Sequence, residues 1–267
     1  MTQNKIKAVF SDIDGTFLTS KRTVLPETAD AVKKLAERGI PFVIISARSP
    51  SGIYPILADC GLKTPIISYS GALVLDGDGK LLRSEGMKKT DAARTAEFLE
   101  TLDGFEAWFA FSLDDWIVKD KNNPAVIREE NIVRAKAREG SILSAEGDIN
   151  KLSVVTKPER LAEIERRVKE SFPELSVFRS ADFLLEIMRG GVTKASGAKA
   201  YCDVLGIGMN EAAAFGDNYN DEDMLRAVGF GFLMENAPEA LKKRIPSHTA
   251  SNDENGIPMA LTALGVL

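Results

Sequence analysis

The sequence is poor in the residues on which several large classes of chemistry depend. It has one histidine, His248, and two cysteines, Cys60 and Cys202. A histidine-rich metal site is therefore excluded, and any Ser-His-Asp or Cys-His mechanism would have to use His248. That residue falls in the polar stretch 246–255 and reads as part of a surface loop. Two cysteines make no disulfide framework. No apolar run is long enough to span a bilayer, and no run is strongly basic. The formal net charge of -5 and a pI near 5.2 argue against nucleic acid as a partner, and no membrane partner is expected. Repeats and low-complexity tracts are lacking too. Residues 1–5 lead into an apolar segment with no signal-peptide core, so a reducing, cytoplasmic location is expected. Carboxylates and lysines remain as the available acids, bases and nucleophiles.

What is present is an alternation of apolar strands and amphipathic helices. The chain's 267 residues suffice for a large core and two domains. Ile6 to Ser11 reads as a buried strand. Pro26 to Arg38 reads as a helix, with Ala29, Val32, Leu35 and Ala36 on one side and Gly39 closing it. Ile40 to Ile45, a helix around Ser51 to Cys60, and a strand around Pro65 to Tyr69 follow. The Asp76-Gly77-Asp78-Gly79 run resembles a calcium loop, but the apolar triplets on either side favour a hairpin turn. From about Arg83 to Met188 the style changes. Aromatic residues cluster at 105–111 and near Trp116, and strands at 152–155 and 184–187 suggest a separate sheet. Phe105, Trp108, Phe111, Trp116 and Phe183 read mainly as the core of this insertion. A helix from Lys194 to Leu205 resumes the first pattern, with Ala212 to Phe215 and Gly229 to Leu233 as the last two core strands. Leu261 and Leu264 mark a short closing helix. The expected fold class is α/β, a Rossmann-like doubly wound parallel sheet with an inserted α+β cap domain. The expected boundaries are 1–82 with 189–267 for the core and 83–188 for the insertion.

Four segments carry chemistry. Asp12-Ile13-Asp14-Gly15-Thr16 follows the first strand, and ligands bind at the carboxyl ends of strands in open parallel sheets. Crowded carboxylates are costly unless a cation or a shared proton relieves them. Ser46-Ala47-Arg48 ends the second strand, where a hydroxyl and backbone N–H groups suit a phosphate. Lys194 opens a helix, the end that disfavours a cation, which hints at a role beyond solvation. Gly216-Asp217-Asn218-Tyr219-Asn220-Asp221 follows another apolar strand. Its carboxylates can meet those of the first segment, and such hard oxygen ligands suit Mg²⁺. An EF-hand is excluded, because Tyr219 takes the third loop position and Glu222 stands where glycine is required.

In order and spacing these segments resemble the four motifs of the haloacid dehalogenase (HAD) superfamily. The insertion between the second and third motifs resembles its Cof-type subfamily with a C2B cap. The resemblance extends to 236–238 and 251–256 near the end of the chain. It implies an Mg²⁺-dependent phosphatase acting on a small phosphorylated metabolite, often a sugar phosphate. Asp12 would be the nucleophile that forms an aspartyl-phosphate. Asp14 would be the general acid and then base, with its backbone carbonyl on the metal. Asp12 and Asp217 would supply carboxylate ligands, and Asp221 would support the metal shell. Ser46, Lys194, Asn220 and the backbone at Ala47 would hold the phosphoryl group. Crowding would raise the pKa of Asp14 so that it can donate a proton near neutral pH. Two departures from the family stand out: Ser46-Ala47-Arg48 where Thr-Gly-Arg is common, and Ser70-Gly71-Ala72 where many relatives have Asn-Gly-Ala. A sugar phosphomutase uses the same motifs and is the alternative, with a low-turnover metabolite-binding regulator ranked behind it. No feature of the sequence speaks to oligomeric state.

Overall fold

The structure is a computed structural model and describes residues 6–133 and 135–267. It contains two compact units. One comprises the residues up to Arg48, Ile53–Arg83 and Thr193–Leu267, and the other Ser49–Gly52 and Ser84–Val192.

The first unit is built on β1 (Ala8–Ser11), α1 (Pro26–Glu37), β2 (Phe42–Ile45), α2 (Pro50–Asp59), β3 (Ile66–Ser68), β4 (Leu73–Leu75) and β5 (Leu81–Ser84). Every residue of β1 and β2 is buried. That is how a parallel strand covered on both faces reads. The α1 helix begins at Pro26, whose missing N–H costs nothing there, and Gly39 follows its end at φ +71°. Thr28, Ala29, Ala31, Val32 and Leu35 are its buried side, whereas Ala36 is exposed. The apolar stripe turns through Thr28, Ala31 and Leu35, which leaves Ala36 on the solvent flank. The Asp76–Gly79 segment is a hairpin turn between β4 and β5. Asp76 Oδ1 accepts from the N–H groups of Asp78 and Lys80, so that carboxylate closes the turn.

The second unit contains α3 (Lys89–Glu100), β6 (Phe105–Ser112), β7 (Asp115–Val118), α4 (Pro124–Val133), β8 (Arg138–Glu139), β9 (Lys151–Thr156), α5 (Leu161–Ser171), β10 (Leu175–Ala181) and β11 (Leu184–Arg189). Its sheet runs β10-β11-β9-β6-β7-β8 and is antiparallel except for the β7–β8 pair. Side chains alternate across it. Trp108, Ala110, Leu152, Val154 and Ile187 share a core with α3 and α5. Ala107, Phe109, Trp116 and Val155 pack on the other face with Ala125 and Val126 of α4. Most of the aromatic cluster is therefore core.

The chain returns to the first unit through α6 (Lys194–Leu205), β12 (Ala212–Gly216), α7 (Glu222–Ala227), β13 (Phe230–Met234), α8 (Glu239–Lys242), β14 (His248–Thr249) and α9 (Gly256–Ala263). The full sheet order is β14-β13-β12-β1-β2-β3-β4-β5. The strands from β14 to β3 are parallel, and β4 turns back antiparallel to β3. The expected last strand, β13, is thus not the edge. His248 lies not in a loop but in β14, paired Leu233↔His248 and Met234↔Thr249. Two residues without an apolar run gave no strand signal. From β1 the chain builds outward through β2 and β3, then returns on the other side through β12 and β13. The switch point lies between β1 and β12, where open α/β sheets bind ligands.

Candidate active site

Register brings the four segments to one edge. Ser11 pairs with both Phe215 and Ile44 in parallel, so Asp12, Ser46 and Asp217 leave neighbouring strands on the same side of the sheet. Asp12 is tied there by its own N–H, which donates to the Phe215 carbonyl at 3.1 Å. Lys194 arrives from the first turn of α6. Thr193 caps that helix, its Oγ1 accepting from Ser196 N–H while Ser196 Oγ accepts from Thr193 N–H. This reciprocal cap explains why the helix starts at Lys194, where the sequence predicts it.

Lys194 is buried, with 1% of its surface exposed. Its Nζ donates to Asp12 Oδ1 at 2.5 Å and to Asp221 Oδ1 at 2.6 Å. The other oxygen of Asp221 accepts from the N–H groups of Asp217 and Asn218, at 3.0 and 2.9 Å. Asp221 is therefore a strut: it fixes the ammonium on one side and the Asp217 backbone on the other. Thr16 Oγ1 donates to Asp217 Oδ1 at 2.8 Å. Gly15 passes so close that a Cβ there would come within 2.4 Å of Asp217 Oδ2, and its φ of +85° independently requires glycine.

Carboxylate oxygens of Asp12, Asp217 and Asp221 lie within 4.8 Å of one another. Three carboxylates face one lysine. Burial pushes the Asp12 carboxyl up to about 7, despite Lys194, with Asp221 adding to the rise. Burial likewise takes Asp217 up to about 6, with Asp221 pushing it further and Thr16 opposing. On Lys194, burial favours the neutral amine, but Asp12 and Asp221 outweigh it and hold the ammonium charged. The deficit of positive charge and the hard oxygen donors fit a divalent cation such as Mg²⁺.

Asp14 departs from the expected crowding. It is exposed, outside that carboxylate cluster, and clamped by Arg48 through two hydrogen bonds of 2.8 and 2.6 Å. The chain leaves β1 after Ser11 and turns at once, Thr16 N–H donating to the Ile13 carbonyl and Phe17 N–H to the Asp12 carbonyl, so Asp14 departs from the line of the strand and the crowding falls on Asp12 and Asp217 instead. Ser46 is buried, and its Oγ accepts from the Arg48 N–H at 3.3 Å. Ala47 is half-buried in the same loop. Asn220 is exposed on the short turn Tyr219–Asp221, and its side chain makes no hydrogen bond among the described residues. His248 lies outside the site, its Nε2 against the carbonyls of Ile245 and Lys242.

Three residues near the end of the chain support the site without a chemical signature of their own. Asn236 Nδ2 donates to the Gly15 carbonyl at 2.8 Å, and Asn252 Nδ2 to the Leu18 carbonyl at 2.8 Å. Asp253 Oδ1 accepts from Ser20 N–H. They fasten the loop after Asp14 from more than 200 residues away in sequence.

Residues 9–261 match the model of a family described as haloacid dehalogenase-like hydrolase. A protein of Haemophilus influenzae is 36% identical over 255 residues, covering 96% of this chain and 97% of its own. The pyridoxal phosphate phosphatase YbhA of Escherichia coli is 27% identical over 250 residues, 89% of this chain and 91% of its own. The solved structure of the HAD subclass IIB sugar phosphatase BT4131 superposes with a TM-score of 0.80 at 23% identity, covering 98% of this chain and 100% of that one. At that identity the likeness concerns the fold. Among the described residues, no helix is long and apolar enough to cross a membrane.

Proposed function

The chain belongs to the haloacid dehalogenase-like hydrolases, as a Cof-type phosphatase, and from that premise we propose that it hydrolyses small phosphate monoesters with Mg²⁺, through an aspartyl-phosphate on Asp12. The observation that carries this reading is the buried Lys194, which grips Asp12 and Asp221 together beside Asp217. A structural ion pair needs one partner of each sign; this cluster holds a surplus of carboxylates at a strand-end switch point.

Asp12 and Asp217 would hold the metal through their carboxylates and Asp14 through its backbone carbonyl, with Asp221 bracing both Lys194 and Asp217. Bound there, Mg²⁺ supplies charge neutralisation for the phosphoryl oxygens. Lys194 fixes Oδ1 of Asp12, and Oδ2 accepts no hydrogen bond among the described residues, which suits it to attack phosphorus. The P–O bond to the substrate alcohol breaks as the Asp12–phosphorus bond forms, and Asp14, which has to leave its two bonds to Arg48 and take up a proton first, delivers that proton to the leaving oxygen. Asp14 then takes a proton from water as that water attacks phosphorus, releasing inorganic phosphate and restoring Asp12. Positioning and charge neutralisation carry most of the acceleration in such transfers. Ser46, the backbone at Ala47, Lys194 and Asn220 would hold the phosphoryl oxygens. Asn220 has to turn toward the ligand from its exposed position.

The inserted unit, a C2B-type cap in this reading, would select the leaving group. Sugar phosphates are the favoured class, and the likeness to YbhA supports pyridoxal phosphate as a second candidate. A cytoplasmic location fits two cysteines that are both free thiols. The test is release of inorganic phosphate from an aryl phosphate, a panel of hexose phosphates and pyridoxal phosphate, with and without Mg²⁺. Mg²⁺-dependent release that vanishes in Asp12→Asn is expected. Equal release with and without the metal would overturn the reading. Isomerised hexose phosphate in place of free phosphate would mark a mutase.

A further inference from the structure

Between β3 and β4 the backbone makes an unusual excursion. Tyr69, Ser70 and Gly71 all have positive φ, at +50°, +51° and +118°. Three consecutive left-handed residues are rare, and a buried tyrosine among them is an outlier. Such conformations persist only where the surroundings over-determine them, and they cluster at functional sites. Here the surroundings are two of the four chemical segments. Ser70 N–H donates to the Ser46 carbonyl at 2.8 Å, and Tyr69 N–H donates to the Arg48 carbonyl at 3.1 Å. The carbonyls on either side of Ala47 are thus tied to one turn. On its other side, Gly71 lies against the start of α6. A Cβ on Gly71 would come within 2.1 Å of the Thr193 carbonyl, and a Cβ on Gly197 within 2.6 Å of Gly71 Cα. Thr193 is the cap of α6 and Lys194 its first residue.

We infer that Tyr69-Ser70-Gly71 is a spacer that sets the separation between the Ser46–Arg48 loop and Lys194, and so the fit of the site to a phosphate. The inference rests on the proposed phosphoryl role of both segments. Its residues are positioning residues, since none reaches the reacting atoms. The left-handed geometry also explains why an asparagine suits the place that Ser70 occupies. Asparagine tolerates that region well, a β-branched residue does not.

The test measures steady-state kinetics on an aryl phosphate, inhibition by inorganic phosphate, and Tm, using the full chain. Gly71→Ala should push α6 away, raise both KM and the inhibition constant for phosphate by tenfold or more, and lower kcat. Ser70→Val should raise the phosphate inhibition constant at least threefold, while Ser70→Asn keeps it within twofold of the parent. If Gly71→Ala does not fold, the Ser70 pair decides alone. A turn that serves only stability would lower Tm in Gly71→Ala and Ser70→Val and leave KM and phosphate inhibition of the folded enzyme unchanged; that result overturns the inference. Failure of the phosphatase reading is separate, since it would appear as absent turnover in the parent protein itself.

Discussion

Among the described residues each unit buries one lysine, and the two are not equivalent. Lys194 of the first unit faces Asp12 and Asp221, with Asp217 beside them. Lys151 of the second unit pairs with Glu186 at 2.8 Å and lies over the Phe111 ring at 5.3 Å. Glu129, which burial pushes upward in pKa, feels Lys151 and Arg128 on one hand and Glu186 on the other. That second cluster balances two cations against two carboxylates. The first has one cation for three. Burying charge is costly unless it is paired, so the balanced cluster is complete as folded and the unbalanced one calls for another cation. Burial of a lysine alone does not mark an active site; surplus charge of one sign at a strand-end crevice does.

The largest effects should separate these two lysines. Asp12→Asn removes the proposed nucleophile with little change in shape, and turnover should fall by about a thousandfold or more. Lys194→Met should do the same. Lys151→Met should leave turnover of a small aryl phosphate within about threefold and express itself in stability, because breaking a buried pair costs about 3–5 kcal/mol. The comparison breaks if Lys151→Met silences the aryl phosphate assay while the protein stays folded.

Asp14 sharpens the contrast within the first unit, because it is exposed and clamped by Arg48 where Asp12 is buried. Asp14→Asn should cost about a hundredfold or more on an alkyl phosphate, the range of general acid–base contributions, and roughly tenfold less on an activated aryl phosphate whose leaving group needs no proton. Equal losses on the two substrates would remove the proton-donor role and leave Asp14 as a support.

Cation removal should act on one unit and spare the other. Asp12 and Asp217 stand at about 7 and about 6, above ordinary carboxylates, chiefly through burial. A raised acid in the folded state stabilises most at low pH and loses that contribution as pH rises through its folded value. Without divalent cations, the first unit should therefore weaken as pH rises from about 5 to 7, and added Mg²⁺ should abolish the trend. In the second unit Glu165 runs the other way: burial pushes it up, but Lys169 and Arg179 outweigh that and hold it low. Its contribution is present throughout that pH window. Amide hydrogen exchange, read separately on peptides of the two units, checks this, and parallel behaviour of the two would count against it.

The sequence makes much of this difference legible, for identifiable reasons. The return of the helix–strand alternation marks α6 from Lys194 to Leu205, and the Asp76–Gly79 hairpin follows from the apolar triplets beside it. The strand-end carboxylates can be placed because each follows an apolar run. The β14 strand cannot, since two residues carry no periodicity. The separation of Asp14 from Asp12 depends on the turn that the chain makes after Ser11 and on Arg48, which reaches Asp14 across 34 residues. The bonds from Asn236, Asn252 and Asp253 to residues 15–20 leave no pattern, because their partners are so distant in sequence. The left-handed turn at Tyr69 and Ser70 is equally silent, for only Gly71 advertises positive φ.

Those long-range bonds yield the smallest effect and the finest form of the comparison. Asn236 donates to the Gly15 carbonyl and accepts from Asn252 N–H at 3.1 Å. Ser112 of the second unit accepts from Gly147 N–H at 3.2 Å. Replacing Asn236 by alanine removes two side-chain bonds to backbone and replacing Ser112 removes one, each worth about 1 kcal/mol, so Tm should fall by about 2–4 °C per bond for a domain of this size. Both losses should register in stability, but only that at Asn236 in function. Gly15 is pressed against Asp217, so freeing its carbonyl loosens the loop that backs the carboxylate proposed to hold the metal. Asn236→Ala should therefore raise the Mg²⁺ concentration needed for half-maximal turnover by a few fold, while Ser112→Ala leaves it unchanged. If both variants lower Tm and neither alters the metal requirement, the fastening of residues 15–20 is structural only, and the function of the first unit rests on its buried charges alone.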